Sequence, residues 1–141
     1  MQGNLAAVAR RVPGAVVCLL SALRLHEFTT QQPFEVWIAI PTRARTPRID
    51  DLPIRVVRMA AAPLSTGVAA RKIDGVRVPV FDLEKTVVDC FRFRSRIGLD
   101  VALEALREYV RRPRRDLDRL LRYATTCRVA KAIRPYLEAL L

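Results

Sequence analysis

Apolar residues recur along this chain in two rhythms, and the change falls near residue 82. In the opening segment Leu5, Val8, Ala9 and Val12 share one helical face, which predicts a short helix capped by Asn4 and stopped by Pro13-Gly14. Ala15–Leu19 has the character of a brief buried strand. Ser21 is then placed to cap a short helix carrying Leu23, Leu25 and Phe28. The stretch Glu35–Ile40 is rich in β-branched and aromatic residues and closes at Pro41, as a strand does where a backbone donor is no longer needed. A basic, turn-forming connection over Thr42–Arg48 leads to a further strand at Pro53–Met59. Gly67–Ile73 and Val76–Phe81 flank Asp74-Gly75, a strong two-residue hairpin signal.

From Asp82 onward the period becomes helical. Asp82 is placed to cap a helix with Leu83, Val87, Cys90 and Phe91 inward, and Gly98 interrupts the pattern. Leu99, Ala102, Leu103, Leu106, Tyr109 and Val110 form a second stripe that ends at Pro113. Leu117, Leu120, Leu121 and Ala124 mark a third helix; Val129, Ala132, Ile133, Tyr136, Leu137 and Leu140 mark a fourth. Pro135 inside that last pattern predicts a kink, or a break in which it opens a new turn. Strands first and helices afterwards predict an α+β fold. The expected form is a small mixed or antiparallel sheet in the N-terminal half, packed against a C-terminal group of about four helices.

With 141 residues, 51% of them hydrophobic, a single domain over 1–141 is expected, burying roughly 68–70% of its unfolded surface. Charge changes the picture more. The 25 basic residues against 14 acidic ones give a net charge of +11, and all but Lys72, Lys85 and Lys131 of the basic ones are arginine. Such planar, permanent cations suit phosphate or carboxylate partners. Cys18, Cys90 and Cys127 are odd in number, far apart and set among apolar neighbours, which predicts buried reduced thiols in a cytoplasmic protein. The uncharged stretch Val12–Leu23 is broken by Pro13 and falls well short of the roughly 18 residues of a membrane span, so neither export nor a membrane location is expected.

Catalytic signatures are missing. His26 is the one histidine and has no cysteine or histidine at metal-ligand spacing, so no metal site is expected and His26 reads as structural. The five glycines form neither a phosphate-binding loop nor a nucleophile elbow. No lysine follows a carboxylate at the two-residue spacing of metal-dependent nucleases. Gly98-Leu99-Asp100-Val101-Ala102 lacks the second carboxylate of a nucleotidyltransferase site. A non-enzymatic protein without cofactor is therefore expected.

Three arginine clusters stand out as candidate nucleic-acid or partner contacts: Arg43, Arg45 and Arg48; Arg92, Arg94 and Arg96; and Arg111, Arg112, Arg114 and Arg115. Arg107, Arg111, Arg115, Arg119 and Arg122 are spaced to form an outer stripe across the Pro113 corner, against a solvated helix exterior as the plainer alternative. Aromatic residues are only 6% of the chain, which disfavours a single-strand binder that works by base stacking. Lys85 and Asp89 are spaced as a surface i,i+4 ion pair, in the weaker orientation.

Three segments taken together, Val16–Phe28, Phe34–Pro41 and Phe81–Phe91, resemble the C-terminal domain of AbiEi-family antitoxins, and the likeness extends from about Leu5 to Leu141. These are predicted transcriptional regulators and the antitoxin half of type IV toxin–antitoxin (phage abortive-infection) systems. The resemblance implies an antitoxin domain that counteracts a cognate nucleotidyltransferase toxin, with the family's N-terminal winged helix-turn-helix lying outside this sequence. It also implies a role in partner contact for the segment containing Lys85, Thr86 and Asp89. The alternative is a stand-alone basic accessory protein that binds nucleic acid weakly and without sequence specificity.

Overall fold

β2 (Val36–Pro41) is apolar at almost every position because both of its faces are covered. Trp37 and Ala39 point toward one core, while Val36, Ile38 and Ile40 point toward another. A strand sandwiched in this way loses the alternation that marks a half-exposed one. The computed structural model describes residues 2–29 and 33–141, and among these five strands make one sheet in the order β3-β2-β1-β5-β4.

Chain order runs through α1 (Gln2–Arg11), β1 (Val16–Val17), α2 (Leu19–Leu25), β2, β3 (Ile54–Met59), α3 (Ala61–Ser65), β4 (Val68–Ile73) and β5 (Val76–Phe81). The helices α4 (Leu83–Arg92), α5 (Arg94–Ile97), α6 (Leu99–Val110), α7 (Leu117–Thr126) and α8 (Ala130–Leu140) complete it. The fold is α+β and the sheet is mixed. β1 runs antiparallel to β2 and parallel to β5, β2 and β3 are parallel, and β4 and β5 form an antiparallel hairpin. Asp74 and Gly75 both take positive φ, 49° and 76°, as a two-residue turn that follows the twist of its strands requires.

α1 lies on one face of the sheet, where Leu5 and Val8 meet Val17, Ile38, Val78 and Val80. α4 and the helices after it cover the other, where Val16, Trp37, Val57 and Phe81 meet Val87, Phe91, Leu106, Leu120 and Ile133. Each large aliphatic side chain sealed there contributes about 1.5–3 kcal/mol.

Several local expectations are corrected. α1 begins ahead of Asn4, so Asn4 is inside the helix. Ser21 does not cap α2: that position is Cys18, and the Ser21 hydroxyl accepts a hydrogen bond from the Trp37 amide at 2.9 Å. A buried amide on β2 thus claims the side chain that local spacing had assigned to the helix end. Pro41 is the last residue of β2. The short helices α3 and α5 carry too little pattern to be seen in the sequence. α8 is assigned as one helix through Pro135, with neither a break nor a new start there.

Candidate functional site

The densest polar chemistry lies on α4. Asp82, the last residue before it, caps the helix by accepting from the Lys85 amide at 2.9 Å through Oδ1. Its Oδ2 accepts from the Tyr123 hydroxyl of α7 at 3.0 Å. Thr86 Oγ1 donates back to the Asp82 and Phe81 carbonyls at 2.8 and 3.3 Å. Close packing at this corner requires glycine at Gly67. Its φ is +72°, and a side chain there would come within 2.8 Å of Lys85 Cβ and 2.9 Å of Asp82 Oδ1.

One turn further in, Lys85 Nζ donates to Asp89 Oδ2 at 2.9 Å, with both side chains fully buried. The ammonium also lies 3.6 Å from Met59 Sδ and 3.5 Å from the centre of the Phe81 ring. The expected surface ion pair is therefore a core ion pair. α4 is enclosed by the sheet and by α2, α6 and α7, so the helix face carrying Lys85 and Asp89 has no route to water. Lys85, Thr86 and Asp89 cannot meet a partner directly while they are sealed in this way. Asp89 Oδ1 has no hydrogen-bond partner. Burial pushes the Asp89 carboxyl up to about 6, against the pull of Lys85.

A second buried contact joins α4 to the α6–α7 corner. The Tyr109 hydroxyl donates to Glu84 Oε2 at 2.6 Å and accepts from the Asp116 amide at 2.6 Å. Burial and the Glu84 hydrogen bond both push the Tyr109 hydroxyl's pKa up. Nothing in the apolar stripe that contains Tyr109 signals a carboxylate 25 residues away. His26 Nε2 lies 2.8 Å from the Phe81 carbonyl, which only a protonated nitrogen can satisfy. Burial holds the His26 pKa below its ordinary value, so the neutral ring is favoured. Cys18, Cys90 and Cys127 are buried free thiols whose pKa values burial raises, that of Cys127 to about 11. They are poor nucleophiles near neutrality. Among the described residues no three potential ligands gather to hold a metal ion.

The arginine clusters divide by what already holds them. Arg92, Arg94 and Arg115 donate to the carbonyls of Cys127, Phe91 and Val110. Arg96 reaches the Val56 carbonyl and lies over Trp37, while Arg112 stacks 4.5 Å from the Phe28 ring centre with Glu108 at 3.9 Å. Arg119 pairs with Glu84 and Asp116. The expected outer stripe is therefore interrupted at Arg115 and Arg119, whose side chains serve the fold. Arg43, Arg45, Arg48, Arg111 and Arg114 are exposed and have no partner among the described residues. Arg58, unremarkable in the sequence, secures the loop that presents the first three: its guanidinium donates to the Thr42 and Ala44 carbonyls and to Thr46 Oγ1.

No protein-family model matches the chain, and no curated protein matches it. Among the described residues no helix is long and apolar enough to cross a membrane.

Proposed function

We propose that this chain is a non-enzymatic, cytoplasmic antitoxin domain of the AbiEi type, which counteracts a nucleotidyltransferase toxin. The observation that carries the reading is the division of its charge. The one lysine–carboxylate pair of its interior is sealed, whereas Arg43, Arg45, Arg48, Arg111 and Arg114 face solvent with no intramolecular partner. Such a surface is suited to an anionic partner. The segmental resemblance supplies the toxin's class.

The test begins with the gene beside this one. A nucleotidyltransferase encoded there should arrest growth alone and lose that effect when this chain is co-expressed. Charge reversal at these five arginines should then abolish rescue while leaving the thermal transition unchanged. Absence of any such toxin, or growth arrest that persists with the chain present, would overturn the reading.

The net charge of +11 favours one second reading, a stand-alone protein that binds nucleic acid without sequence specificity. Promoter and scrambled DNA would then bind alike, at about 10⁻⁴–10⁻⁶ M near physiological salt. The logarithm of affinity would fall with that of salt at about −0.9 per phosphate neutralised.

A further inference from the structure

The parallel strands β2 and β3 end side by side at Pro41 and Met59. Across that end of the sheet runs an open groove of about 670 Å³, within the roughly 300–1,000 Å³ range of small-molecule sites. Val16, Pro41, Met59, Leu64 and Val68 make its apolar walls, drawn from four strands and from α3. Val16 pairs with Ala39 and Met59 with Pro41, so by alternation these side chains share the sheet face of Trp37 and Ala39.

Arg43 is the one charged residue of the lining, and no carboxylate joins it there. It is exposed and has no partner among the described residues. The backbone on either side of it is nonetheless fixed. Arg58 donates to the Thr42 carbonyl at 3.1 Å and to the Ala44 carbonyl at 2.6 Å. The Thr42 amide donates to Met59 O at 3.2 Å, and the Ala44 amide to Pro41 O at 3.1 Å. Ties at both neighbours hold the base of this cation at the groove in advance, which lowers the cost of ordering it around a ligand. Other polar groups of the lining are already used: the Leu64 amide donates to Ala60 O at 3.0 Å, and the Ser65 hydroxyl to Ala61 O at 2.9 Å. An extended polypeptide laid there would bury its own amides against groups that are already paired. The net charge of +11 opposes a second copy of the chain. The groove is therefore complementary to an apolar body with one negative end and no amides.

We infer that this groove binds a free aliphatic monocarboxylate of medium chain length, with its tail against Val16, Met59, Leu64 and Val68 and its carboxylate on Arg43. The planar guanidinium offers a carboxylate two parallel N–H donors, which a point charge cannot. The tail adds affinity with each methylene it removes from water. Met59 closes the floor: its Sδ lies 3.6 Å from the sealed Lys85 ammonium, so one side chain stands between the ligand and the buried ion pair, and the acid head is left to Arg43. The inference does not rest on the antitoxin reading. That reading counts Arg43 among five surface cations, whereas here it acts with the apolar recess beside it.

The test uses the whole chain labelled with carbon-13 at its methionine methyls. Met1 and Met59 are its two methionines, so the floor of the groove supplies one of two signals, assigned by its loss in Met59→Leu. Octanoate, kept below its micelle concentration, should shift the Met59 signal saturably. Hexanoate should bind about fivefold more weakly or worse. Arg43→Gln should weaken octanoate about tenfold, yet leave 1-octanol, which has the tail without the charge, within about twofold. Arg43→Lys should recover part of that loss. Leu64→Asn, at a part-buried wall position, should weaken the acid and the alcohol alike. Arg45→Gln with Arg48→Gln, on the same loop but outside the lining, should leave octanoate binding within about twofold. No saturable shift of Met59 would overturn the inference. So would an equal loss of octanoate affinity in the Arg43 and Arg45/Arg48 variants, which would mark a general field of charge. Tighter binding of a short peptide ending in leucine would assign the groove to a polypeptide, and a concentration-dependent Met59 shift without ligand would assign it to a second copy; either overturns the inference.

Discussion

Replacing Lys85 and Asp89 together by methionine and leucine should leave the protein at least as stable as before near neutral pH. It should also remove one component of the pH dependence of stability. Both side chains are fully buried, and their one hydrogen bond to each other leaves Asp89 Oδ1 without a partner. Burial raises the Asp89 carboxyl from 3.8 to about 6 even with Lys85 beside it. That difference corresponds to about 3 kcal/mol by which the folded state prefers the protonated acid. The sign follows from proton uptake: between those two values the folded protein holds the proton and the unfolded chain does not. The stability contributed by Asp89 is therefore fully present below about pH 4 and is lost as pH rises through about 6. Above that range the ionised pair is a net cost, and well-packed apolar replacements of buried pairs are neutral or stabilising by about 1–4 kcal/mol. Urea unfolding followed by circular dichroism, for both proteins between about pH 4 and 8, measures the difference curve. Titrations shared by the two proteins cancel in it. A double variant less stable than the parent at neutral pH, or a difference curve flat across this range, would refute the reasoning.

Tyr109→Phe removes a hydroxyl that serves both Glu84 and the Asp116 amide. It should cost about 1–3 kcal/mol in chemical denaturation, because it takes the partner from the buried Glu84 oxygen and from the part-buried Asp116 amide. His26 has a depressed pKa in the folded state, so its stabilisation is present above its ordinary value of 6.5 and lost as pH falls below it. His26→Gln keeps a donor for the Phe81 carbonyl and should flatten the decline of stability on that acid side, read as thermal midpoint against pH. Gly67→Ala meets both a positive φ and a 2.8 Å approach to Lys85 Cβ. It should lose more than about 1 kcal/mol, and a thermal midpoint equal to that of the parent would contradict the close packing of Gly67 on the start of α4.

Local chemistry was legible wherever neighbours in sequence supply the interaction. The Asp74-Gly75 turn, the Asp82 cap and the stripes of α6 and α7 each involve residues no more than four apart, and each forms as the pattern indicates except at Leu99, which opens α6 exposed to solvent. What lies across space was not legible. The i,i+4 spacing of Lys85 and Asp89 says that the two side chains meet; it does not say whether they meet in water or beneath a sheet. Only the packing of α4 against α2, α6 and α7, with Phe81 and Met59 of the sheet beside Lys85, places them inside. Local spacing points Ser21 to a helix end because the Trp37 amide that claims its hydroxyl comes from a strand distant in sequence. The parallel pairing of β2 with β3 depends on a crossover that no short-range signal encodes. Arginines 92, 94, 96, 112 and 115 look alike in sequence to arginines 43, 45, 48, 111 and 114. The fold separates the two sets by bringing carbonyls, carboxylates and aromatic rings to the first and leaving the second in solvent. Sequence alone therefore determined the α+β class, most of the elements and the basic character of the surface, because propensity and periodicity are local properties. The tertiary structure decided which charges are sealed, which are engaged and where an apolar groove stays open, because each depends on where distant segments come to rest.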